Sequence, residues 1–166
     1  ARFVLTNKGF LHSFSKITLG VLKSEESDDA RSTFPVNVGI HSLIQRCALR
    51  IGTTVVAEID DFNHWMGYKS MFIDNDIDSE PIQNAAGDAS DTNAPRVITL
   101  DGEPVFSVSV ADLFPFLRFN QLPLYMIDQQ ISIELYFQPE ATKKRCVHKK
   151  GDEAQGQTWK INETQV

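Results

Sequence analysis

Three aspartates at alternate positions are the first residues here whose spacing could support chemistry. In "DNDID", Asp74, Asp76 and Asp78 have the i, i+2, i+4 spacing with which a calcium-binding loop begins. Such a loop also requires glycine at its sixth position and glutamate at its twelfth, which are Ser79 and Ala85 in this sequence. We therefore expect an exposed acidic loop rather than a calcium site.

The histidines offer one further pair for acid–base chemistry. Asp60 and His64 are four residues apart, so on a helix they would share a face, as metal ligands or as an acid–base couple. A solvent-facing helical pair is the simpler interpretation. The sequence contains no GxSxG elbow, P-loop or dinucleotide fingerprint. We expect no enzymatic activity, no metal centre and no cofactor.

A basic run lies towards the end of the chain. The segment "KKRCVHKK", residues 143–150, holds five of the 16 lysines and arginines. It could contact phosphate or an acidic patch on a neighbouring subunit, and a solvated loop is the simpler alternative. Because the chain as a whole has a net charge of −6, its composition argues against nucleic-acid contact.

Alternation of apolar and polar residues marks the elements that would position these groups. It is clear in "KITLGVL" (16–22), "RCALRIG" (46–52), "TVVAEI" (54–59), "FSVSV" (106–110) and "ISIELYF" (131–137). Period two is typical of strands with one buried and one solvated face. Cys47 lies on an apolar face and is interpreted as a core residue. Asp101-Gly102 predicts a hairpin across 97–110.

The remaining pattern completes a prediction of fold class. A short helix is expected in "DDFNHWMGYKSMFI" behind a cap at Asp60 or Asp61, and a helical turn in "VADLFPFL" that ends near Pro115. Residues 74–95 are expected to form an exposed acidic loop and residues 139–158 a polar basic loop. The chain is therefore predicted to be all-β, a single jelly-roll β-sandwich over residues 1–166 with one or two short helices.

One segment fits neither period. "LFPFLRFNQLPLY", residues 113–125, collects large apolar side chains and two prolines without helical or strand spacing. It is too short and too interrupted by Arg118 and Asn120 to approach the roughly 18 apolar residues of a membrane span. Apolar residues on irregular, proline-braced backbone favour an interface, and packing in the core is the competing interpretation.

Two long blocks of the sequence resemble a known family. "FPVNVGIHSLIQRCALRIGTTVVAEIDDFNHWMGYKSMF" (34–72) and "FSVSVADLFPFLRFNQLPLYMIDQQISIELYF" (106–137) are similar to the first jelly roll of double jelly-roll major capsid proteins. These proteins build the shells of tailless double-stranded DNA viruses, and the likeness is to virophage, polinton-like and giant-virus members. The likeness rests on the "GIHSLI" turn, the aromatic "DDFNHW" helix and the "LFPFL…LPLY…QISIEL" block.

The resemblance implies a structural role in a virion. Three polypeptides, each with two jelly rolls, would form a homotrimeric, six-lobed capsomer that contacts neighbouring capsomers, penton proteins and minor capsid proteins. It also implies that the chain is a fragment, because "TWKINETQV" resembles entry into the last strand of the first jelly roll. The expected contacts to the sister jelly roll or to a neighbouring subunit are Phe116, Phe119, Leu122, Leu124 and Tyr125.

A carbohydrate- or ligand-binding β-sandwich is the alternative function, because lectins share jelly-roll architecture. It would require exposed aromatic side chains over a groove or a calcium site. Trp65, Trp159 and the "DNDID" segment are the residues that could supply them.

Overall fold

The computed structural model describes residues 1–19, 22–24, 32–33, 38–72, 97–98, 106–139, 148–149, 152–156 and 159–161. Antiparallel strands dominate these residues, together with two short α-helices, which is consistent with an all-β sandwich. The predicted all-β class with short helices is therefore confirmed. The predicted acidic loop 74–95 lies outside the described residues.

Fourteen strands are present in the described part of the chain. The first seven are β1 (Arg2–Leu5), β2 (Phe10–Leu11), β3 (Lys16–Leu19), β4 (Leu22–Ser24), β5 (Ser32–Thr33), β6 (Ile44–Ile51) and β7 (Thr54–Ile59). The others are β8 (Val97–Ile98), β9 (Phe106–Ser109), β10 (Leu122–Pro123), β11 (Ile131–Phe137), β12 (His148–Lys149), β13 (Asp152–Gly156) and β14 (Trp159–Ile161).

Helical segments occupy the positions where the alternation stops. They are α1 (Phe62–Ser70), α2 (Val110–Leu113) and 3₁₀ helices at Gly39–Leu43, Pro115–Arg118 and Leu124–Met126. The predicted helix and helical turn are thus confirmed. The cap of α1 differs from the expectation, because Asp61 is left-handed with φ of 50° and its side chain makes no capping hydrogen bond.

The strands form two four-stranded sheets and three two-stranded ribbons. One sheet has the order β1-β11-β6-β7 and the other has the order β13-β12-β5-β8. The ribbons are β2 with β10, β3 with β9 and β4 with β14. The hairpin predicted across Asp101-Gly102 is wrong for the described residues of its arms, since β8 pairs with β5 and β9 with β3. Alternation fixes the buried face of a strand but not its neighbour.

The segment 139–158, predicted to be a polar loop, contains two strands. β12 and β13 pair with each other, and β12 also pairs with β5. Polar composition does not prevent this pairing, because the ladder is made by backbone groups. The other residues from 140 to 158 lie outside the described residues.

One hydrophobic cluster joins the β1-β11-β6-β7 sheet to the β3–β9 ribbon. It collects the inward residues of β6, β11, β3 and β9, such as Leu49, Ile133, Leu19 and Phe106, all of them buried. Phe62 and Met66 of α1 and Leu113 of α2 close the cluster. The helices therefore hold the irregular segment that follows α2 against the same core as the strands.

Candidate functional site

The irregular segment after α2 is braced by backbone hydrogen bonds. The Phe114 N–H donates to the Val110 carbonyl at 2.9 Å, and the Leu117 N–H donates to the Phe114 carbonyl at 3.0 Å. Pro115 stands first in its 3₁₀ helix, where the missing N–H would have had no intrahelical partner. The backbone from 110 to 118 is thus a series of closed turns rather than a free loop.

Alternate sides of these turns face opposite environments. Phe114 and Leu117 are fully buried in the core, and Leu124 is 6% exposed. Phe116, which lies between Phe114 and Leu117 in the sequence, is 41% exposed. Phe119 is 91% exposed and Tyr125 is 58% exposed. The buried residues fix the backbone that presents the aromatic rings to solvent.

The five residues expected at an interface therefore fall into two groups. Phe116, Phe119 and Tyr125 project outward. Leu122 is partly buried against the core and Leu124 belongs to it, so both support the surface from beneath. Whether these residues contact a partner stays a prediction.

A second segment packs beside Tyr125. β2 pairs with β10, with Phe10 opposite Pro123, and the Leu124 N–H donates to the Gly9 carbonyl at 2.9 Å. The Phe10 ring meets the Tyr125 ring edge-on at 5.4 Å between centroids. We use "aromatic surface" for the exposed rings of these two segments, which are Phe10, Phe14, Phe116, Phe119 and Tyr125.

Sequence reasoning missed the contribution of the N-terminal segment. Phe14 is 83% exposed and stacks on His12 at 5.0 Å between centroids. The signal that could have found it is the aperiodic stretch "KGFLHSF" (8–14), which resembles 113–125 in its mixture of aromatic and turn residues.

A nearly buried charge cluster lies behind the aromatic surface. Lys69 of α1 donates to the Asp112 Oδ1 atom at 2.8 Å, and an Arg118 Nη2 donates to the same oxygen at 3.3 Å. The side chain of Asp112 is 7% exposed. Because Arg118 lies between Phe116 and Phe119, this cluster fixes the turn that carries both rings.

His41 lies in the core beside that cluster. Its Nδ1 atom is 3.1 Å from the Val38 carbonyl, its ring packs edge-on against Phe62, and it is 1% exposed. Burial lowers the pKa of His41, and the charge of Asp112 opposes part of that effect. His41 is therefore favoured as a neutral imidazole with its proton on Nδ1.

The outer face of the β1-β11-β6-β7 sheet carries a network of charged and hydrogen-bonded side chains beside the exposed Val4 and Val55. Arg50 donates to Glu134 at 2.9 Å, and the Tyr136 hydroxyl donates to the same Glu134 oxygen at 2.8 Å. The hydrogen bond from Tyr136, together with Arg50, lowers the pKa of Glu134. Charges of opposite sign neutralise one another across this face.

Asp60 and His64 do not form the pair that their spacing suggested. Asp60 lies before the first residue of α1, so it does not share a helical face with His64, and its carboxylate is 3.9 Å from Arg46 Nε. The side chains of "DNDID" and "KKRCVHKK" lie outside the described residues. The described parts contain no group of three or more His, Cys, Asp or Glu placed to hold a metal ion.

The tryptophans required by the ligand-binding alternative are in different environments. Trp65 is 40% exposed on α1. Trp159 is 4% exposed and packs edge-on against Phe137 at 6.1 Å between centroids, so it offers no stacking face to a ligand.

Among the described residues, no helix combines the length and apolar character that crossing a membrane requires.

Comparison with protein-family models, with curated protein sequences and with solved structures gives no match to this chain.

Proposed function

We propose that this chain is the first jelly roll of a double jelly-roll major capsid protein, whose homotrimers form the pseudo-hexagonal capsomers of an icosahedral viral shell. The observation that carries this proposal is the aromatic surface. Phe116, Phe119 and Tyr125 are exposed on backbone that closed turns and a buried charge cluster hold in place. Exposed aromatic side chains in a fixed arrangement are typical of a protein interface.

The order in which strands pair supports the jelly-roll architecture. β6 pairs with β7, and around this hairpin β5 pairs with β8, β3 with β9, β2 with β10 and β1 with β11. Nested pairs of this kind belong to one antiparallel ribbon folded about its middle, and a jelly roll is such a ribbon wound into two facing sheets. The pairing of β11 with β6 joins an outer strand to an inner one, as winding requires. The pairs β4 with β14, β12 with β5 and β12 with β13 stand outside this series.

The proposed role is geometric and involves no reaction. The aromatic surface would be buried against the sister jelly roll or a neighbouring subunit, and the completed trimer would contact neighbouring capsomers, penton proteins and minor capsid proteins in the virion. Permanent interfaces of this type bury roughly 2,000–5,000 Å² and are rich in aromatic residues. Leu122 and Leu124 would act from beneath, by holding Tyr125 in position.

A single substitution tests the proposal in the full-length polypeptide. Phe119→Asp changes a ring that is 91% exposed, so it leaves the core intact while placing a charge in the proposed contact. We expect the polypeptide to remain folded and to sediment as a monomer where the unchanged protein sediments as a trimer.

Phe72→Asp is the matched control, because Phe72 is a 68% exposed phenylalanine two residues after α1 that belongs to neither segment of the aromatic surface. It is expected to leave the trimer unchanged. Trimers of normal stability in the Phe119→Asp variant would contradict the proposed interface.

A further inference from the structure

The two segments of the aromatic surface carry no acidic residue. Residues 7–16 and 114–127 contain Lys8, Lys16 and Arg118 but neither Asp nor Glu, although the chain has a net charge of −6. The nearest carboxylates are Asp128, directly after the second segment, and Asp112, which is buried against Lys69 and Arg118. The charge of this region thus has the opposite sign to that of the whole chain.

The basic residues lie close to the exposed rings in the sequence. Lys8 precedes Gly9, whose carbonyl accepts from Leu124, and Lys16 follows the His12–Phe14 stack by two residues. Both lysines are exposed. Arg118 lies between Phe116 and Phe119 and retains about a third of its side-chain exposure. Lys8, Lys16 and Arg118 thus flank the exposed rings along the chain, and we call these three residues the basic rim.

The exposed aromatic area would supply most of one side of a standard subunit contact. If each ring contributes about 200 Å², the five exposed fractions amount to roughly 650 Å² of aromatic area. A standard interface buries about 800 Å² on each partner, with an apolar centre and a polar rim. The aromatic surface with its basic rim supplies the apolar centre and the polar rim of one of the two partners.

We propose that the occupant of this surface is a face of a neighbouring subunit with an apolar centre and an acidic rim, complementary to Lys8, Lys16 and Arg118. This inference rests on the proposed function. Opposite charges at a rim attract the partner before contact and exclude faces with a basic rim, so they set the rate and selectivity of association. The apolar rings then supply the contact that persists.

Charge removal at the rim tests the inference in the full-length polypeptide. Lys8→Gln and Lys16→Gln are each expected to weaken trimer association about two- to five-fold at about 50 mM salt, with the difference lost at about 0.5 M salt. Arg2→Gln is the matched control, because it removes the same charge from a residue of β1 that faces Glu134 instead. It is expected to leave association unchanged, as measured by sedimentation at both salt concentrations.

The outcomes separate this inference from the proposed function. If both lysine variants associate like the unchanged protein at low salt while Phe119→Asp does not associate, the interface stands and the acidic rim is wrong. If Phe119→Asp also associates normally, the proposed function itself fails. Salt-sensitive binding of a fluorescent single-stranded oligonucleotide, or of vesicles with anionic lipid, that is lost in Lys8→Gln would overturn the inference by assigning the surface to a different partner.

Discussion

Lys69 of α1 donates a hydrogen bond of 2.8 Å from its Nζ to the Oδ1 of Asp112 of α2, and the two residues are 43 positions apart in the sequence. The side chains of the two residues are 15% and 7% exposed, so the pair is largely removed from water. Because Arg118 shares the same oxygen, one carboxylate ties α1 to α2 and to the 3₁₀ helix that carries Phe116. The orientation of the aromatic surface depends on this carboxylate.

Loss of the Asp112 carboxylate should lower the free energy of unfolding more than loss of one of its two cationic partners. Asp112→Asn leaves Lys69 and Arg118 without a counter-charge and should lower the free energy of unfolding by about 2 to 3 kcal/mol. Lys69→Met should lower it by about 1 kcal/mol, because Arg118 still neutralises Asp112. Urea unfolding followed by tryptophan fluorescence measures both values. Equal losses in the two variants would show that Arg118 does not substitute for Lys69.

The neutral state of His41 predicts a dependence of stability on pH. Burial lowers the pKa of His41 in the folded chain, so the unfolded chain binds this proton more readily. The free energy of unfolding should therefore fall as pH decreases below about 6.5, by at most about 1.4 kcal/mol per pH unit, until pH passes below the lowered pKa.

Two histidine variants measured between pH 5 and 8 would isolate this effect. His41→Asn keeps an N–H donor for the Val38 carbonyl and removes the titration, so its pH slope should be shallower in that range. His64→Asn makes the same change at an exposed histidine of α1 and is the control. Identical slopes in both variants would exclude His41 as the source.

Replacing each of two glycines by alanine should change the stability of the fold in opposite directions. Gly52 has a φ of +59°, and an added Cβ would lie 2.5 Å from Gln129 Oε1, so Gly52→Ala should destabilise by about 1 to 2 kcal/mol. Gly67 lies inside α1 with ordinary contact to Val38 at 3.5 Å, so Gly67→Ala should stabilise by about 0.5 to 1 kcal/mol. Thermal unfolding compares the two. Adding Gln129→Ala to Gly52→Ala should recover only the steric part of the loss.

The single thiol in the described core should be inert in the folded protein. Cys47 is fully buried, its Sγ is 3.5 Å from the Leu113 carbonyl, and burial raises its pKa to about 12. In a Cys146→Ser background, we expect no labelling by iodoacetamide at pH 8 until denaturant is added. Rapid labelling without denaturant would mean that β6 opens on the timescale of the reaction.

Local sequence signals predicted the elements and failed on their partners. The alternation in 131–137 and 106–110 placed Ile133, Leu135, Phe106 and Val108 in the core, where they are. The Gly52 turn joins β6 to β7 as its sequence indicates. The pairing of β8 with β5 and of β9 with β3 has no local signal, because either partner would bury the same face.

The candidate site was predicted only in outline. The lack of periodicity in 113–125 located the surface, but it could not separate exposed Phe119 from buried Leu124, since their exposure depends on closed 3₁₀ turns rather than on a period. Asp61 was placed correctly before α1, yet it adopts a left-handed backbone instead of capping the helix through its carboxylate. Phe10 and Phe14 join the surface only through the pairing of β2 with β10.

The pairing of β1 and β6 with β11 determines when the β1-β11-β6-β7 sheet can form during synthesis. β11 lies between β1 and β6, so until Phe137 has left the ribosome β1 has no partner in this sheet and β6 has only β7. Ile59 ends β7 and Phe137 ends β11, 78 positions later. At the usual 5–20 residues per second, the β6–β7 hairpin keeps an unpaired apolar edge for about 4 to 16 seconds. Nascent chains of this protein should therefore bind chaperones over that interval and release them when β11 inserts.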